Sequence, residues 1–340
     1  MRGPQRRESL DNRSAPFALG ARHPEPSTSH NATFAMIARK YLYLVALARE
    51  KHFGRAAACC HVSPSTLSAA IRGLEDELGV ALVERGQHFA GLTAEGHCVV
   101  EHAQRLAAGA EGLKQEMARL RGGLGGRLRI GVIPTALTVV AGLTAPFARR
   151  HPRVNIEVLA AATGDILARL RAFELDAGIV YTASARAEDL YVLPVWQENH
   201  VFLTAPGGPL ADRHAVSWRE AGHFPLCLLT ADMQNRQTID RVFAELGCDP
   251  KVSLETNSII ALLAHVCAGP WASIVPHSVL DLIGAPRGVQ VLPLTDPAVA
   301  WETSVVTLGR EPRSPMVDAL LAEARTLGGA DERGPRHGAD

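Results

Sequence analysis

The chain has 340 residues, 35 basic and 35 acidic side chains, and a hydrophobic content of 47%. That length suits about two domains with real cores, and the zero net charge means a nucleic-acid site, if present, must be local. No stretch approaches the roughly 18 consecutive apolar residues of a membrane span. The first 30 residues carry Arg6 and Arg7 but no apolar core region of a secretory signal. The chain is therefore read as cytoplasmic, with no membrane partner.

Residues 1 to 35 are rich in Pro, Ser, Arg and Gly and lack periodicity, the composition of a disordered extension. Met36 is a candidate start. The first compact unit, residues 36 to 93, is helical: Ile37, Tyr41, Leu44 and Val45 form a helical stripe, and "FGRAAACC" follows as a second helix. The turn His61-Val62-Ser63 then leads into "PSTLSAAIRGLEDEL", whose Leu67, Ile71, Leu74 and Leu78 recur at four, three and four residues, a single buried stripe. Ser63 is a good N-cap and Pro64 suits the first helical position. Ser65, Thr66, Ser68, Ala69 and Arg72 are left off the stripe near an anchored helix start. Two helices joined by a short turn, the second with a polar exposed start, make a helix-turn-helix. "VALVERGQHFAGLT" offers two extended pieces about a Gly-Gln-His turn, which suits a wing.

Thr93 can cap a long helix over residues 94 to 120, and within it Val99, Ala103, Leu106, Ala110, Leu113, Met117 and Leu120 recur at alternating fours and threes. That 3.5-residue seam is the signature of a coiled coil and implies dimerisation with a second copy. Four glycines in "RGGLGGR" make residues 121 to 126 a hinge. From residue 127 strands and helices alternate: "RLRIGVI", "VNIEVLAA" and "DAGIVYT" are strands separated by two helices, which predicts a parallel sheet with helices on its faces. Further strands follow at "HVFLTA", "PLCLLT", "KVSLE", "ASIVP", "VQVLPL" and "WETSVVTLG". The fold class is thus multidomain α+β and α/β. Residues 127 to 311 suit two α/β lobes with a cleft at the carboxyl ends of the strands. The tail, residues 328 to 340, reads as disordered.

In that cleft the candidate ligand-binding residues lie at strand ends and helix starts. Thr135 and Ala136 follow the first strand, Thr163 and Gly164 open the second helix, and Asn257 and Ser258 precede a later one. Helix starts carry free N–H groups and partial positive charge, which suits a small anion such as a carboxylate. Tyr181, Thr182, Thr204 and Thr230 end other strands and join the set. No catalytic signature occurs, and the histidines of this region (His151, His200, His214, His223, His265, His277) are read as solvated or structural. No metal and no cofactor is expected. The six cysteines (Cys59, Cys60, Cys98, Cys227, Cys248, Cys267) lack metal or C-x-x-C spacing, and most are read as small core residues. A redox switch made from Cys227, Cys248 or Cys267 stays as an alternative.

The stretch from Tyr41 to Thr93, especially "RAAACCHVSPSTLSAAIRGLEDELGVALVERGQHFAGLTAEG", resembles the winged helix-turn-helix of LysR-type transcriptional regulators. The order that follows is also that family's: linker helix, glycine hinge, then a type 2 periplasmic-binding-like effector domain opening with "GRLRIGVIPT". The resemblance implies a regulator, not an enzyme, whose partners are double-stranded DNA, a small-molecule effector, and itself as dimer and tetramer. The family's recognition helix usually begins Ser-Gln-Pro-Ala-Leu-Ser-Arg. The matching positions here run from Ser63 to Ala69, so the glutamine and arginine that normally read bases are absent. Ser65, Thr66 and Ser68 would face a major groove, and Arg72 and Arg85 would contact phosphate; His88 stands where a wing arginine is common. From Met36 to Thr93, seven Lys/Arg less five Asp/Glu leave net +2, so affinity must come from dimerisation more than from one domain's field. A solute-binding protein or an enzyme on the same two-lobed fold is the alternative, and it would need neither seam nor helix-turn-helix.

Overall fold

The computed structural model describes residues 28–84 and 89–331. The chain divides into two compact units, with the division between Val100 and Glu101. In the first unit α1 (Thr28–Glu50), α2 (Phe53–Cys59) and α3 (Pro64–Leu78) pack about Leu44, Leu47, Ala56, Leu67, Ile71 and Leu74. Each fully buried leucine or isoleucine there contributes about 1.5–3 kcal/mol. Leu78, expected as the fourth stripe member, is exposed: it is the last residue of α3, and Gly79 turns the chain into the left-handed region directly after it. α1 also starts earlier than the expected boundary at residue 36. Residues 28–35 are helical because nothing in them breaks the α1 pattern, while residues 1–27 lie outside the described set. Val83 and Leu92 form an antiparallel bridge, which supports a wing. Its turn, residues 85–88, lies outside the described residues.

α4 (Ala94–Leu120) links the units, and Thr93 caps it by accepting from the Gly96 N–H at 2.9 Å. The glycines that follow are required by backbone geometry. Gly122, Gly123 and Gly126 take φ of 130°, 112° and 110°, a region costly for any residue with a Cβ. Arg153 donates to the carbonyl of Gly122 and, at 2.6 Å, to that of Gly123.

The second unit is built on β1 (Gly126–Val132), α5 (Val140–Arg150), β2 (Val154–Ala160), α6 (Thr163–Arg171) and β3 (Ala177–Tyr181). β1 pairs parallel with both β2 and β3, as two consecutive βαβ units require. Gly178 of β3 lets α6 approach closely, since a Cβ there would lie 2.6 Å from Ile166 Cγ2. β4 (Leu190–Thr204) then runs through both lobes. Next come β5 (Val216–Ser217), α7 (Trp218–Ala221), β6 (Leu226–Leu229), α8 (Gln234–Glu245), β7 (Val252–Thr256), α9 (Ile259–Ala268) and β8 (Ser273–Pro276). The chain closes with α10 (His277–Ile283), β9 (Gln290–Thr295), β10 (Ala300–Leu308) and α11 (Pro315–Asp331).

The main sheet has the order β2-β1-β3-β10-β4-β9-β5, with β8 also on β4; β6 and β7 form a separate parallel pair. The start of β4 lies against β10 in the first lobe, and its end lies against β8 and β9 in the second. The expectation for this strand was only "HVFLTA"; its earlier residues, broken in pattern by Pro194, extend because β10 supplies a partner. Two expected boundaries need correction. Residues 328–331 continue α11 rather than opening a disordered tail, and residues 332–340 lie outside the described set. α11 also belongs to the effector unit past residue 311, because Met316, Val317, Leu320, Leu321 and Ala324 fill the first-lobe core.

Candidate functional site

The residues expected from the sequence to carry function fall at three places: the start of α3, the open face of α4 and the join between the lobes. At the first, the Ser63 hydroxyl accepts from the Thr66 N–H at 3.1 Å and lies 2.8 Å from the hydroxyls of both Ser65 and Thr66. Such a cap is worth about 1 kcal/mol. Pro64 occupies the first helical position. Ser65, Thr66 and Arg72 are exposed and Ser68 is half-buried, so the polar residues face outward while Leu67 and Ile71 hold the helix in place. Arg85 and His88 lie outside the described residues.

On α4 the seam divides in two. Val99 packs on the core of the first unit, and Ala103 is buried. These two expected dimer contacts are therefore used within the chain, because small or β-branched side chains near the helix start let it lie close to its surroundings. Further along, Leu106 and Leu120 are 70% and 67% exposed, and Ala110, Leu113 and Met117 are exposed with them. Four large apolar side chains on one face of a solvated helix form a surface that a partner would cover.

At the lobe junction the polar residues are buried. The Thr135 and Tyr181 hydroxyls lie 3.3 Å apart, Tyr181 donates to Glu198 Oε1, and Asn235 Nδ2 donates to the Tyr181 oxygen at 3.3 Å. Asn235 Nδ2 also lies 2.7 Å from His200 Nε2, which stands 3.7 Å from Glu198 Oε1. Thr135 and Tyr181 come from the first lobe and Asn235 from the start of α8 in the second. Glu198 and His200 share one face of β4 because strand side chains alternate. Burial pushes the Glu198 carboxyl up to about 7, opposed by the Tyr181 hydrogen bond, and pushes His200 down to about 3. His200 is thus neutral near pH 7, so its approach to Glu198 is not an ion pair there. The Tyr181 phenol is held well above its usual range, by burial first and then by the Glu198 charge. His200 Nδ1 has no hydrogen-bond partner, a cost retained at the centre of this network.

Beside the network lies a cavity of about 240 Å³ lined by Tyr181, Thr182, Ala183 and Arg186 from the first lobe, Gln234, Thr238 and Arg241 from α8, and Ala300, Trp301 and Glu302 from β10. Tyr181 belongs to both places, since it lines the cavity and its hydroxyl sits in the network. Trp301 does likewise, edge-on to His200 with ring centres 4.3 Å apart.

The expected effector residues are only partly gathered here. Tyr181 and Thr182 line the cavity; Thr182 is bonded to Ser304 Oγ at 2.6 Å. Thr135 is not a free cap, since its segment Pro134–Thr138 is a 3-10 turn and its hydroxyl is taken up by Tyr181; Ala136 is buried below it. Thr163 and Gly164 are the first residues of α6, whose N-cap position, Ala162, makes no side-chain cap bond, and the buried Thr163 hydroxyl has no partner. Thr204 is buried, and Thr230 follows β6, where its N–H donates to the Thr256 carbonyl at 3.0 Å. Asn257 is exposed, and Ser258 caps α9 by accepting from the Ala261 N–H at 3.3 Å. None of these last residues lines the cavity. Glu198, Asn235, Arg186, Arg241 and Trp301 were missed. Only a charged residue inside an apolar strand, "VWQENHVFL", marked Glu198 in advance. His200 is a buried structural histidine, within the earlier reading.

Among the described residues no helix is long and apolar enough to cross a membrane, and no group of His, Cys, Asp or Glu is placed to hold a metal ion. Two family models match: the LysR substrate binding domain over residues 121–328, and the bacterial regulatory helix-turn-helix protein, lysR family, over residues 38–97. The chain is 31% identical over 257 residues to the DNA-binding transcriptional dual regulator OxyR of Escherichia coli K12, covering 75% of this chain and 84% of that protein. A full-length OxyR cysteine variant from Pseudomonas aeruginosa superposes with a TM-score of 0.69 at 27% identity, covering 85% of this chain and 95% of that one. CbnR complexed with its target DNA has the same fold, with a TM-score of 0.61 at 20% identity over 85% of this chain and 99% of that one. A helix-turn-helix unit, a linker helix and a two-lobed effector unit in this order, matched along nearly the whole described chain, place the protein in the LysR family of DNA-binding transcriptional regulators.

Proposed function

We propose that this regulator reads DNA with Ser65, Thr66, Ser68 and Arg72, dimerises through the open face of α4, assembles further into a tetramer, and is switched by a small polar or anionic effector held between its lobes. The observation that carries the switch is the buried polar network: residues of both lobes meet at one hydroxyl, Tyr181, on either side of the crossing strand β4. A ligand there can shift the lobes only by binding one arrangement better than another. Arg153 ties the glycine segment to the effector unit, so a change in the lobes has a route to α4. Footprinting of the gene's own upstream region, with and without small carboxylates, tests this. A ligand-dependent change in the protected pattern is expected, and Thr135→Val, which removes one hydroxyl from the network, should diminish it. A pattern indifferent to every carboxylate, or an undiminished response in Thr135→Val, would overturn the assignment.

A second reading comes from the relatives, several of which are named hydrogen peroxide-inducible genes activators. The cysteines are not core residues as expected, since only Cys227 is buried while Cys60 and Cys248 are half-buried and Cys59, Cys98 and Cys267 exposed; of the three named for a switch, Cys227 gives it little support. Burial raises the Cys227 thiol to about 11, far from the reactive thiolate, and no cysteine lines the cavity. Peroxide added to the reduced protein should leave the footprint unchanged. A footprint that peroxide alters and thiol reductant restores would favour the redox reading instead.

A further inference from the structure

The arginines of the effector unit are mostly engaged. Arg129, Arg150, Arg169, Arg171, Arg213 and Arg236 each hold a carboxylate. Arg153 and Arg219 donate to main-chain carbonyls, and Arg310 stacks on Phe173. Arg186 and Arg241 have no hydrogen bond or ion pair among the described residues, yet both line the cavity beside Tyr181. Glu302, also in the lining, has no hydrogen bond or ion pair among the described residues either. Thr182 is bonded to Ser304 and Thr238 donates to the Gln234 carbonyl at 2.7 Å, while the Gln234 side-chain amide has no partner among the described residues. Ala183, Ala300 and the Trp301 ring supply apolar wall. Two guanidiniums less one carboxylate leave the lining at net +1.

We propose that this cavity binds a small dicarboxylate that also carries a hydrogen-bond donor, the chemistry of a hydroxy- or amino-dicarboxylate. The inference rests on the reading of the protein as an effector-controlled regulator and names the effector's class. A planar guanidinium pairs a carboxylate through two parallel hydrogen bonds, so Arg186 and Arg241 suit two such groups rather than one point charge. An ionised Glu302 can only accept, so it repels a third anionic group and calls for an N–H or O–H on the ligand. Arg186 and Arg241 are exposed at the mouth of the cavity, open to an incoming ligand, while Trp301 and Glu302 are half-buried. The volume falls below the roughly 300–1,000 Å³ of sites for drug-sized ligands, which limits the occupant to a compact metabolite. Arg186 belongs to the first lobe and Arg241 to the second, so a ligand gripping both holds the lobes in one arrangement. It would also touch Tyr181 and Trp301, the two residues shared with the buried network.

The test is calorimetric titration of the full-length protein with L-malate, L-aspartate, succinate and inorganic phosphate, with tryptophan fluorescence recorded in parallel. L-malate or L-aspartate should bind with a change in fluorescence that is lost in Trp301→Phe. Arg186→Gln and Arg241→Gln should each weaken binding about tenfold or more, the scale of one charge-assisted bidentate contact. Arg287→Gln, which removes an exposed and unpaired arginine outside the cavity, should not. Glu302→Gln should erase the preference for L-malate or L-aspartate over succinate. The proposal is overturned if phosphate binds as tightly as the dicarboxylates, if neither cavity arginine variant differs from Arg287→Gln, or if none of the dicarboxylates binds. Gel shifts on the upstream DNA keep the two failures apart. Retained DNA binding without dicarboxylate binding sinks this inference alone, whereas absent DNA binding sinks the regulatory reading beneath it.

Discussion

The two units place their polar side chains in opposite ways. In the helix-turn-helix unit no polar residue is buried among the described residues, and the hydroxyls of Ser63, Ser65 and Thr66 stand at the surface, where Ser63 caps α3 and the other two lie against it. In the effector unit Thr135, Tyr181, Glu198, His200 and Asn235 are buried together and satisfy one another, apart from His200 Nδ1. A surface that reads a duplex must keep its groups available to a partner already rich in donors and acceptors. A junction that switches can carry buried polar groups, because in a low dielectric small changes of pairing carry large energies. The first arrangement is tuned by what a side chain offers outward, the second by what it loses on being desolvated.

The sharpest way to break this contrast is at the α3 start. Glutamate in place of both Ser65 and Ser68 should abolish specific DNA binding, since carboxylates there would meet phosphates. Unchanged affinity in a gel shift at fixed salt would show that the surface lies elsewhere. Next in size is the α4 face. Leu106→Glu with Leu113→Glu should split the dimer, because each change buries an unpaired charge in an apolar interface at a cost of several kcal/mol. Light scattering of a wild-type monomer at micromolar concentration would defeat that view.

Within the effector unit, Glu198→Gln probes the cost of burial. The folded carboxyl holds its proton up to about 7, whereas an unfolded one releases it near 4.5. The folded state therefore binds more protons between those values, and stability falls as pH rises through that window, then levels off above it. Glutamine cannot ionise, so the variant should flatten the fall and gain on the order of 3 kcal/mol above pH 7. Urea melts from pH 4.5 to 8 measure this, and parallel pH profiles for the two proteins would refute it. Smallest is Arg72→Ala, which should weaken specific and random DNA alike and lower the salt slope by about one. A changed sequence preference would make Arg72 a base reader.

The sequence by itself determined what is local. The stripe Leu67, Ile71 and Leu74, the Ser63 cap, the alternation of strands and helices up to Tyr181, and the glycine segment all follow from periodicity and from backbone preferences acting within a few residues. It also marked the seam of α4, although Val99 and Ala103 turned inward, because periodicity states which residues share a face and not which neighbour covers it. Tertiary structure alone decided the site. Tyr181, Glu198, Asn235 and Trp301 come from four separated stretches of chain and meet only when β4 pairs with β10 and α8 closes over the join. Thr135 was noticed as a cap, but its hydroxyl is spent on a tyrosine 46 residues away. Helix and strand signals act over a few residues, whereas desolvation and charge pairing depend on distances that only the folded chain sets.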